Sequence, residues 1–464
     1  MPSGDAFLRE LRGQYPDLEI GSGPDRIAPY CRDEAHQTTD RPIAVAFPTM
    51  TSQVVTLLKL ANRHHVPIVP QGARTGLSGA AVPSEGSFVV SLERMNRILE
   101  IDEENGVAVT EPGVITGDLR RAVEQRGLFY PPIPASVDIC TIGGNIATNA
   151  GGLCAVKYGV TREYVLGLEV VLPSGDVIQT GGRFAKNSTG YNLTQLLVGS
   201  EGTLGIVTKI ILRLVPLPRE RVTLLVPYDS AAAVSKSIVA ILSARIVPPT
   251  LELIPQGAVR CVLNRHSELS YPFPDHPASL LIELDSRDSA SLQTELPELE
   301  RVLRESGAGE PSVAATPAQR EELWTVRKLV RDSIANSGDY VEADAVVPRR
   351  KVPALLEAAD TVSKKHAIEV ISYGHAGDGN LHTYFRRGDL PTERWRVVSQ
   401  KVLTDFFTEA VRLGGTISGE HGIGLLKREY LPMAISPPQI NVMKRIKTAF
   451  DPHGILNPGK ILPE

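Results

Sequence analysis

The sequence predicts an α+β protein of two or three domains, and three observations carry that expectation. The chain has 464 residues, more than one hydrophobic core ordinarily supports. Residues 42–110 alternate strand and helix signals. Beyond Pro216-Leu-Pro218 the composition shifts and the order becomes β-α-β-α, the pattern of helices laid on one face of an antiparallel sheet. The boundaries this suggests are an N-terminal helical segment over 1–40, a glycine-rich domain over 41–218 and a second domain over 219–464.

The elements follow in order. Ala44–Phe47 is a short apolar run. Thr51 and Ser52 are candidate caps for a helix carrying Val54, Val55, Leu57, Leu58 and Leu60. Val66–Val69 reads as a strand and runs into Gln71-Gly-Ala-Arg-Thr-Gly-Leu-Ser-Gly79. Ile98–Asp102 and Val107–Glu111 flank Asn105-Gly106, a hairpin signal. Further strands are expected at Leu166–Leu172 and Gly205–Val215. After the break come a strand at Val222–Val226, a helix at Ala231–Leu242, a strand at Ser279–Leu284 and a helix at Ser289–Arg304. Thr316-Pro317-Ala-Gln319 is a capping box with proline at the first helical position; it opens a helix carrying Trp324, Arg327 and Arg331.

Composition excludes several classes. Net charge is -4, so no basic field draws in nucleic acid. The opening MPSGDAFLRELRGQYPDLEI lacks the sustained apolar stretch of a signal peptide, and no segment is long and apolar enough to span a bilayer. Cys31, Cys140, Cys154 and Cys261 are scattered with no CxxC pair. They are read as reduced thiols of a cytoplasmic protein, not as disulfides or as zinc or iron–sulfur ligands.

Two constellations carry chemistry. Gln71–Gly79 and Cys140–Gly152 are glycine-rich, with Thr75, Ser78, Asn145, Thr148 and Asn149 as short donors. Such loops are either turns or concavities of backbone N–H groups that suit a pyrophosphate. A third segment, Gly199-Ser-Glu-Gly-Thr-Leu-Gly-Ile206, enters a strand and can bring backbone against a flat ring. None is a Rossmann G-x-G-x-x-G in a strand-to-helix turn, so no nicotinamide site is read. In the second constellation, Glu369–His375 and Asn380–Phe385 read as two strands joined through Asp378-Gly379. The hairpin can bring His375 and His382 together, either as structural histidines or as metal ligands. Glu420, in Gly419-Glu-His-Gly422, is the best carboxylate to complete an open site.

The run Pro70–Gly79, the Thr141–Gly152 run, Lys186-Asn-Ser-Thr-Gly-Tyr-Asn-Leu193 and Gly199–Gly205 resemble the FAD domain of the vanillyl-alcohol oxidase flavoprotein family. Within that family the chain is similar to the glycolate oxidase D-subunit and D-lactate dehydrogenase branch, from about residue 25 to Lys460. The resemblance implies an α+β fold: a two-part FAD-binding domain of the vanillyl-alcohol oxidase type over 41–218, and an α+β cap (substrate) domain with an antiparallel sheet over 219–464. The cap range would also hold a metal site and a C-terminal segment returning to the flavin. Carried over by position, Gly72, Ala73, Arg74, Thr75, Gly76 and Gly79 would cradle the pyrophosphate. Gly144, Asn145, Thr148, Gly151 and Gly152 would line the flavin, with Glu201, Gly202, Ile206 and Asn457 also in contact. The family usually has arginine at position 71 and glycine at 74, where this chain has Gln71 and Arg74. No histidine, cysteine or tyrosine lies in Gln71–Gly79, where some relatives attach the flavin, so FAD is expected to be non-covalent.

The same branch binds a divalent metal, zinc or manganese, through positions matching His375, His382 and Glu420. The resemblance implies that His421 is the base, that Asn380 meets substrate or flavin, and that Arg327 grips the substrate carboxylate through a planar fork suited to two oxygens. The expected reaction is oxidation of a small D-2-hydroxy acid, D-lactate or glycolate, to the 2-oxo acid, with hydride passing to flavin N5. D-2-hydroxyglutarate dehydrogenases share these motifs. They carry a lysine for the distal carboxylate where this chain has Tyr340-Val-Glu-Ala-Asp344, and that difference favours the small monocarboxylate. Other readings are oxidation of another alcohol, which needs no metal triad, and a flavin subunit of a multi-subunit glycolate oxidase complex. The expected partners are the hydroxy acid, an electron acceptor (an iron–sulfur partner subunit or a quinone-linked chain that keeps the protein peripheral to a membrane) and a second copy in a homodimer.

Overall fold

The computed structural model describes residues 2–35, 42–269, 273, 275–314 and 316–463. The chain forms two compact units: Met1–Gly151 with Val160–Leu217 and Glu420–Glu464, and Gly152–Gly159 with Pro218–Gly419. The switch at Leu217/Pro218 falls where the prolines interrupt the sequence. The expected 1–40 and 219–464 segments are not units of their own. The N-terminal residues and those from Glu420 onward both belong to the first unit.

The first unit holds two main sheets. Strands Ala44–Ala46, Phe88–Ser91 and Ile68–Gln71 run parallel, with Ile20–Gly21 antiparallel at one edge. The helix Thr51–His64 buries Val54, Leu57, Leu58 and Leu60. Its cap is Met50, not Thr51 or Ser52. Thr51 instead begins the helix and donates its hydroxyl to Glu169 at 2.8 Å. Phe7 and Leu11 of the helix Pro2–Gln14 enter the same core as Leu57, Phe88 and Leu456. An N-terminal helix with such anchors is part of the core, because truncating a buried Phe typically costs about 3–5 kcal/mol. The C-terminal segment lies beside the strand Ile68–Gln71: Ile68 N donates to Ile455 O (2.7 Å) and Asn457 N to Ile68 O (2.7 Å).

The second sheet of this unit is antiparallel, in the order 98–102, 107–110, 206–213, 165–171, 177–181. The expected hairpin forms at its edge, where Asp102 Oδ1 accepts from Asn105 N at 2.9 Å.

The second unit is built on two antiparallel sheets. One is ordered 250–255, 278–286, 220–228, 312–313. Helices Ala231–Ser243 and Ser289–Glu305 form where expected. The strand Thr250–Pro255 and the helix Gln256–Arg265 were not read from the sequence. The other sheet is ordered 340–346, 380–386, 369–373. A bridge between Leu253 and Gly374 joins the two sheets at the turn that carries His375. The capping box of Thr316 and Gln319 opens the helix Pro317–Ala335 as predicted. Among the described residues no helix is long and apolar enough to cross a membrane, and none of the four cysteines is in a disulfide.

Candidate active site

The glycine-rich segments converge within the first unit. The strand Ile68–Gln71 delivers Gly72 against Thr141: a Cβ at Gly72 would stand 2.4 Å from Thr141 Oγ1. Thr141 in turn caps a helix over Ile142–Thr148, its hydroxyl accepting from Gly144 N at 3.2 Å. The run expected as a loop is therefore partly helical, and the cap leaves Gly144 and its neighbours at an N-terminus. A Cβ at Gly76 would meet nothing nearer than 3.9 Å, so the loop has open space on that side.

Arg74 adopts φ +62°, which L side chains avoid and which favours glycine. Its guanidinium stacks on Tyr30 at 4.4 Å and lies 3.7 Å from Glu93. Ala73 and Thr75 flank it in the half-buried loop. Gln71 donates its amide to Tyr30 O (2.9 Å) and Ala81 O (2.7 Å). Its Oε1 is buried with no partner among the described residues. The same holds for Asn457 Oδ1, whose amide nitrogen donates to Ala80 O (3.0 Å) and Glu201 O (2.7 Å). Buried acceptors without donors are costly and call for a ligand or water N–H or O–H. Two orphaned acceptors beside a Cβ-intolerant glycine cradle fit a cofactor.

Several expected flavin-lining side chains have other roles. Asn145 is buried and donates to Thr116 Oγ1 at 2.8 Å; Thr148 donates to Gly144 O at 3.3 Å. Ile206 packs in the core with Leu57 and Leu456, so backbone is what that segment can offer a ring. Gly152 begins the short stretch that joins the second unit. Gly202 has φ +68°, and a Cβ there would meet Pro70 Cγ at 2.6 Å. Gly79 has φ +78° against Leu425.

Glu201 serves the loop that carries Glu420 and His421. Its carboxylate accepts from Ile423 N and Gly424 N, both at 2.8 Å. Burial drives its pKa up to about 7, against the opposing pull of those two amides. Ser78 Oγ donates to His421 O at 2.9 Å, and Ser78 O accepts from Leu425 N at 2.8 Å. A Cβ at Gly424 would approach Ser78 O to 2.1 Å. The main chain from His421 to Leu426 is thus pinned from two sides. Glu420 lies against Gly151, where an added Cβ would meet its Oε2 at 2.9 Å. His421 Nε2 is 3.7 Å from Glu420 Oε1.

In the second unit the antiparallel pair sets Tyr373 opposite His382. The rings of His375 and His382 then meet edge-on with centroids 5.2 Å apart, as the hairpin predicted. His375 Nδ1 bonds Glu252 Oε1 at 2.5 Å. Glu252 Oε2 accepts from Arg327 Nε at 2.7 Å and lies 2.5 Å from Nη2. Burial raises the Glu252 carboxyl, but the charges of Arg327 and His375 outweigh it and hold the pKa down at about 2. Arg327 is 4% exposed and stands over the Tyr373 ring at 4.9 Å, so it is no solvated surface arginine. Asn380 donates its amide to Asp344 Oδ1 (2.8 Å) and Ala345 O (3.2 Å). That ties its amide nitrogen to the fold, not to a ligand. Asp344 also accepts from Ser418 Oγ (2.9 Å) and Gly419 N (3.1 Å). Sequence reasoning missed Glu252 altogether, and both acidic residues of the strand Tyr340–Val346 stand by His382, with Asp344 Oδ1 4.0 Å from its Nδ1. Glu342 Oε1 is 3.8 Å from His382 Nδ1.

The fold and the paired glycine segments define a flavoprotein class, and comparison with known proteins agrees. Residues 217–461 match the family model for FAD linked oxidases, C-terminal domain, and residues 42–181 match that for the FAD binding domain. The chain belongs to the FAD-linked oxidase family of FAD-dependent oxidoreductases. It is similar to glycolate oxidase subunit GlcD of Bacillus subtilis, 43% identical over 93% of this chain and 91% of that one. D-lactate dehydrogenase of Anaerostipes hadrus is 38% identical over 91% of this chain and 90% of its own length. The solved structure of p-cresol methylhydroxylase with substrate bound, 19% identical, superposes with a TM-score of 0.80 over 99% of this chain and 97% of that one. It bears out the expected fold of the vanillyl-alcohol oxidase type.

Proposed function

We propose that this chain oxidises a small D-2-hydroxy acid, D-lactate or glycolate, to the 2-oxo acid, with a divalent metal, zinc or manganese, beside a non-covalent FAD. The observation that carries the reading is the buried pair His375–His382 with a carboxylate-oriented ring. It stands in a chain similar to a glycolate oxidase subunit and a D-lactate dehydrogenase. A rival alcohol oxidation has no use for such a pair. Bound flavin would accept the hydride, and a divalent cation would lower the pKa of the substrate hydroxyl.

The chain's own residues supply the rest. His375 and His382 would be ligands, each presenting one ring nitrogen. Glu420 follows Gly419, whose amide is held by Asp344, the register partner of His382. Glu420 would be the third ligand, and Gly151 leaves room for its carboxylate. His421 would take the hydroxyl proton on its imidazole, and Arg327 would orient the substrate carboxylate. Because the cysteines are scattered, the electrons would leave to a separate acceptor, an iron–sulfur partner subunit or a quinone-linked chain. The test is stopped-flow reduction of the flavin in the purified chain. D-lactate or glycolate should bleach it, and chelation should abolish the bleaching while FAD stays bound. Flavin that no D-2-hydroxy acid reduces, metal-loaded, rejects the assignment.

A second outcome tests the place of Glu420. Gly151→Ala brings a methyl group to 2.9 Å from Glu420 Oε2, a contact with a side chain and not with backbone. The fold should persist while Glu420 is displaced, and turnover is expressed per bound FAD because Gly151 is also an expected flavin-lining position. Turnover should fall at least about tenfold, as when a ligand is mispositioned by about 1 Å. Unchanged turnover would show that Glu420 is not needed in that position.

A further inference from the structure

We infer that Glu252 is a positioning residue that aims His375 at a metal and Arg327 at a substrate carboxylate with a single side chain. The inference rests on the metal reading above and adds a residue to it. Glu252 lies on the strand Thr250–Pro255 and is 1% exposed. One oxygen takes His375 Nδ1 at 2.5 Å; the other takes Arg327 Nε at 2.7 Å, with Nη2 at 2.5 Å. An ionised carboxylate only accepts hydrogen bonds. His375 must therefore carry its proton on Nδ1, which places the ring's lone pair on Nε2. A carboxylate behind a ligating imidazole fixes its tautomer and ring direction in this way. The same group holds the plane of the guanidinium, which also stacks on Tyr373.

Glutamine cannot do both. Its amide offers one acceptor and one donor group. With its oxygen on the charged Arg327, its NH₂ faces His375 Nδ1 and forces the ring proton onto Nε2, where it blocks coordination. With its oxygen on His375, its NH₂ faces the guanidinium donors and pushes Arg327 aside. Aspartate keeps the charge but is one methylene shorter, so one carboxylate no longer reaches both partners.

The experiment uses the full chain with FAD bound, stripped of metal and titrated with Mn²⁺ alone by calorimetry. It is paired with kcat and KM for D-lactate at saturating Mn²⁺. Glu252→Gln should weaken Mn²⁺ binding by about 10–100-fold and raise KM, with FAD content and far-UV circular dichroism unchanged. Glu252→Asp should show smaller changes in the same direction. If His375→Ala loses Mn²⁺ while both Glu252 variants bind Mn²⁺ and D-lactate like the wild type, the anchor is overturned and the metal reading stands. If His375→Ala binds Mn²⁺ normally, the ligand reading fails and the anchor falls with it. Should Glu252→Gln lose its FAD or its fold, Glu252→Asp decides: wild-type Mn²⁺ affinity and KM there overturn the inference.

Discussion

His421→Asn is expected to slow reduction of the bound flavin by about 10²–10⁴-fold, the usual range for losing a general base. The loop around it makes this a clean substitution. Ser78 holds the His421 carbonyl, and Glu201 holds the next amides at Ile423 and Gly424. None of these bonds uses the imidazole, so its removal leaves the main chain in place. Asparagine keeps a polar group of similar reach and cannot take up a proton near neutral pH. FAD content and Mn²⁺ affinity should be unchanged. The measurement is single-turnover absorbance of the flavin after mixing with D-lactate. Reduction at the wild-type rate would remove His421 from the chemistry. A loss of FAD would show that it serves the site by packing, and a loss of Mn²⁺ alone that its imidazole is a ligand.

Much of this site was legible in the sequence because its signals are local. The hairpin that joins His375 to His382 announces itself by two apolar runs around Asp378-Gly379, and the register sets Tyr373 opposite His382. The capping box at Thr316 and Gln319 starts the helix that carries Arg327. What was not legible depends on partners far along the chain. Glu252 meets Arg327 at a separation of 75 residues and His375 at 123. The one available signal was a lone carboxylate among Leu251, Leu253 and Ile254. A charge buried in an apolar strand must be paired, but local periodicity does not say with what. The Met50 cap was missed for a different reason: Gln53 Oε1 accepts from Thr49 N at 2.7 Å, and Thr51 is drawn to Glu169. The helix Ile142–Thr148 was obscured by Gly143 and Gly144, which have low helix propensity. Tertiary contacts impose it, since a Cβ at Gly143 would meet Pro112 at 2.6 Å. Arg74 in a left-handed conformation shows why glycine suits that position in relatives, while its stacking on Tyr30 shows what tethers it here.

D-lactate and glycolate should be turned over with a kcat/KM at least ten- to a hundredfold above that for D-2-hydroxyglutarate. The strand Tyr340–Val346 contains no cation to meet a second carboxylate. Asp344 is fully buried and committed to Asn380, Ser418 and Gly419, so it does not decide the matter. Glu342, two residues earlier and hence on the same strand face, does. Its Oε1 stands 3.8 Å from His382 Nδ1, which puts a carboxylate beside the proposed ligand. A distal carboxylate of the substrate would then face like charge. Arg331, one turn beyond Arg327, is the cation that could offset this. Its Nη1 is already engaged by Asp332 Oδ1 at 3.0 Å. Leaving a carboxylate unpaired in a closed pocket costs about 1–3 kcal/mol or more, and each 1.4 kcal/mol is about tenfold. The check is kcat/KM for D-lactate, glycolate, D-2-hydroxybutyrate and D-2-hydroxyglutarate, repeated in Glu342→Gln. The variant should narrow the gap by raising the glutarate value, because it removes the opposing charge and keeps the side-chain volume. A wild type that prefers the glutarate would place the distal carboxylate away from Glu342 and against a cation elsewhere in the cap.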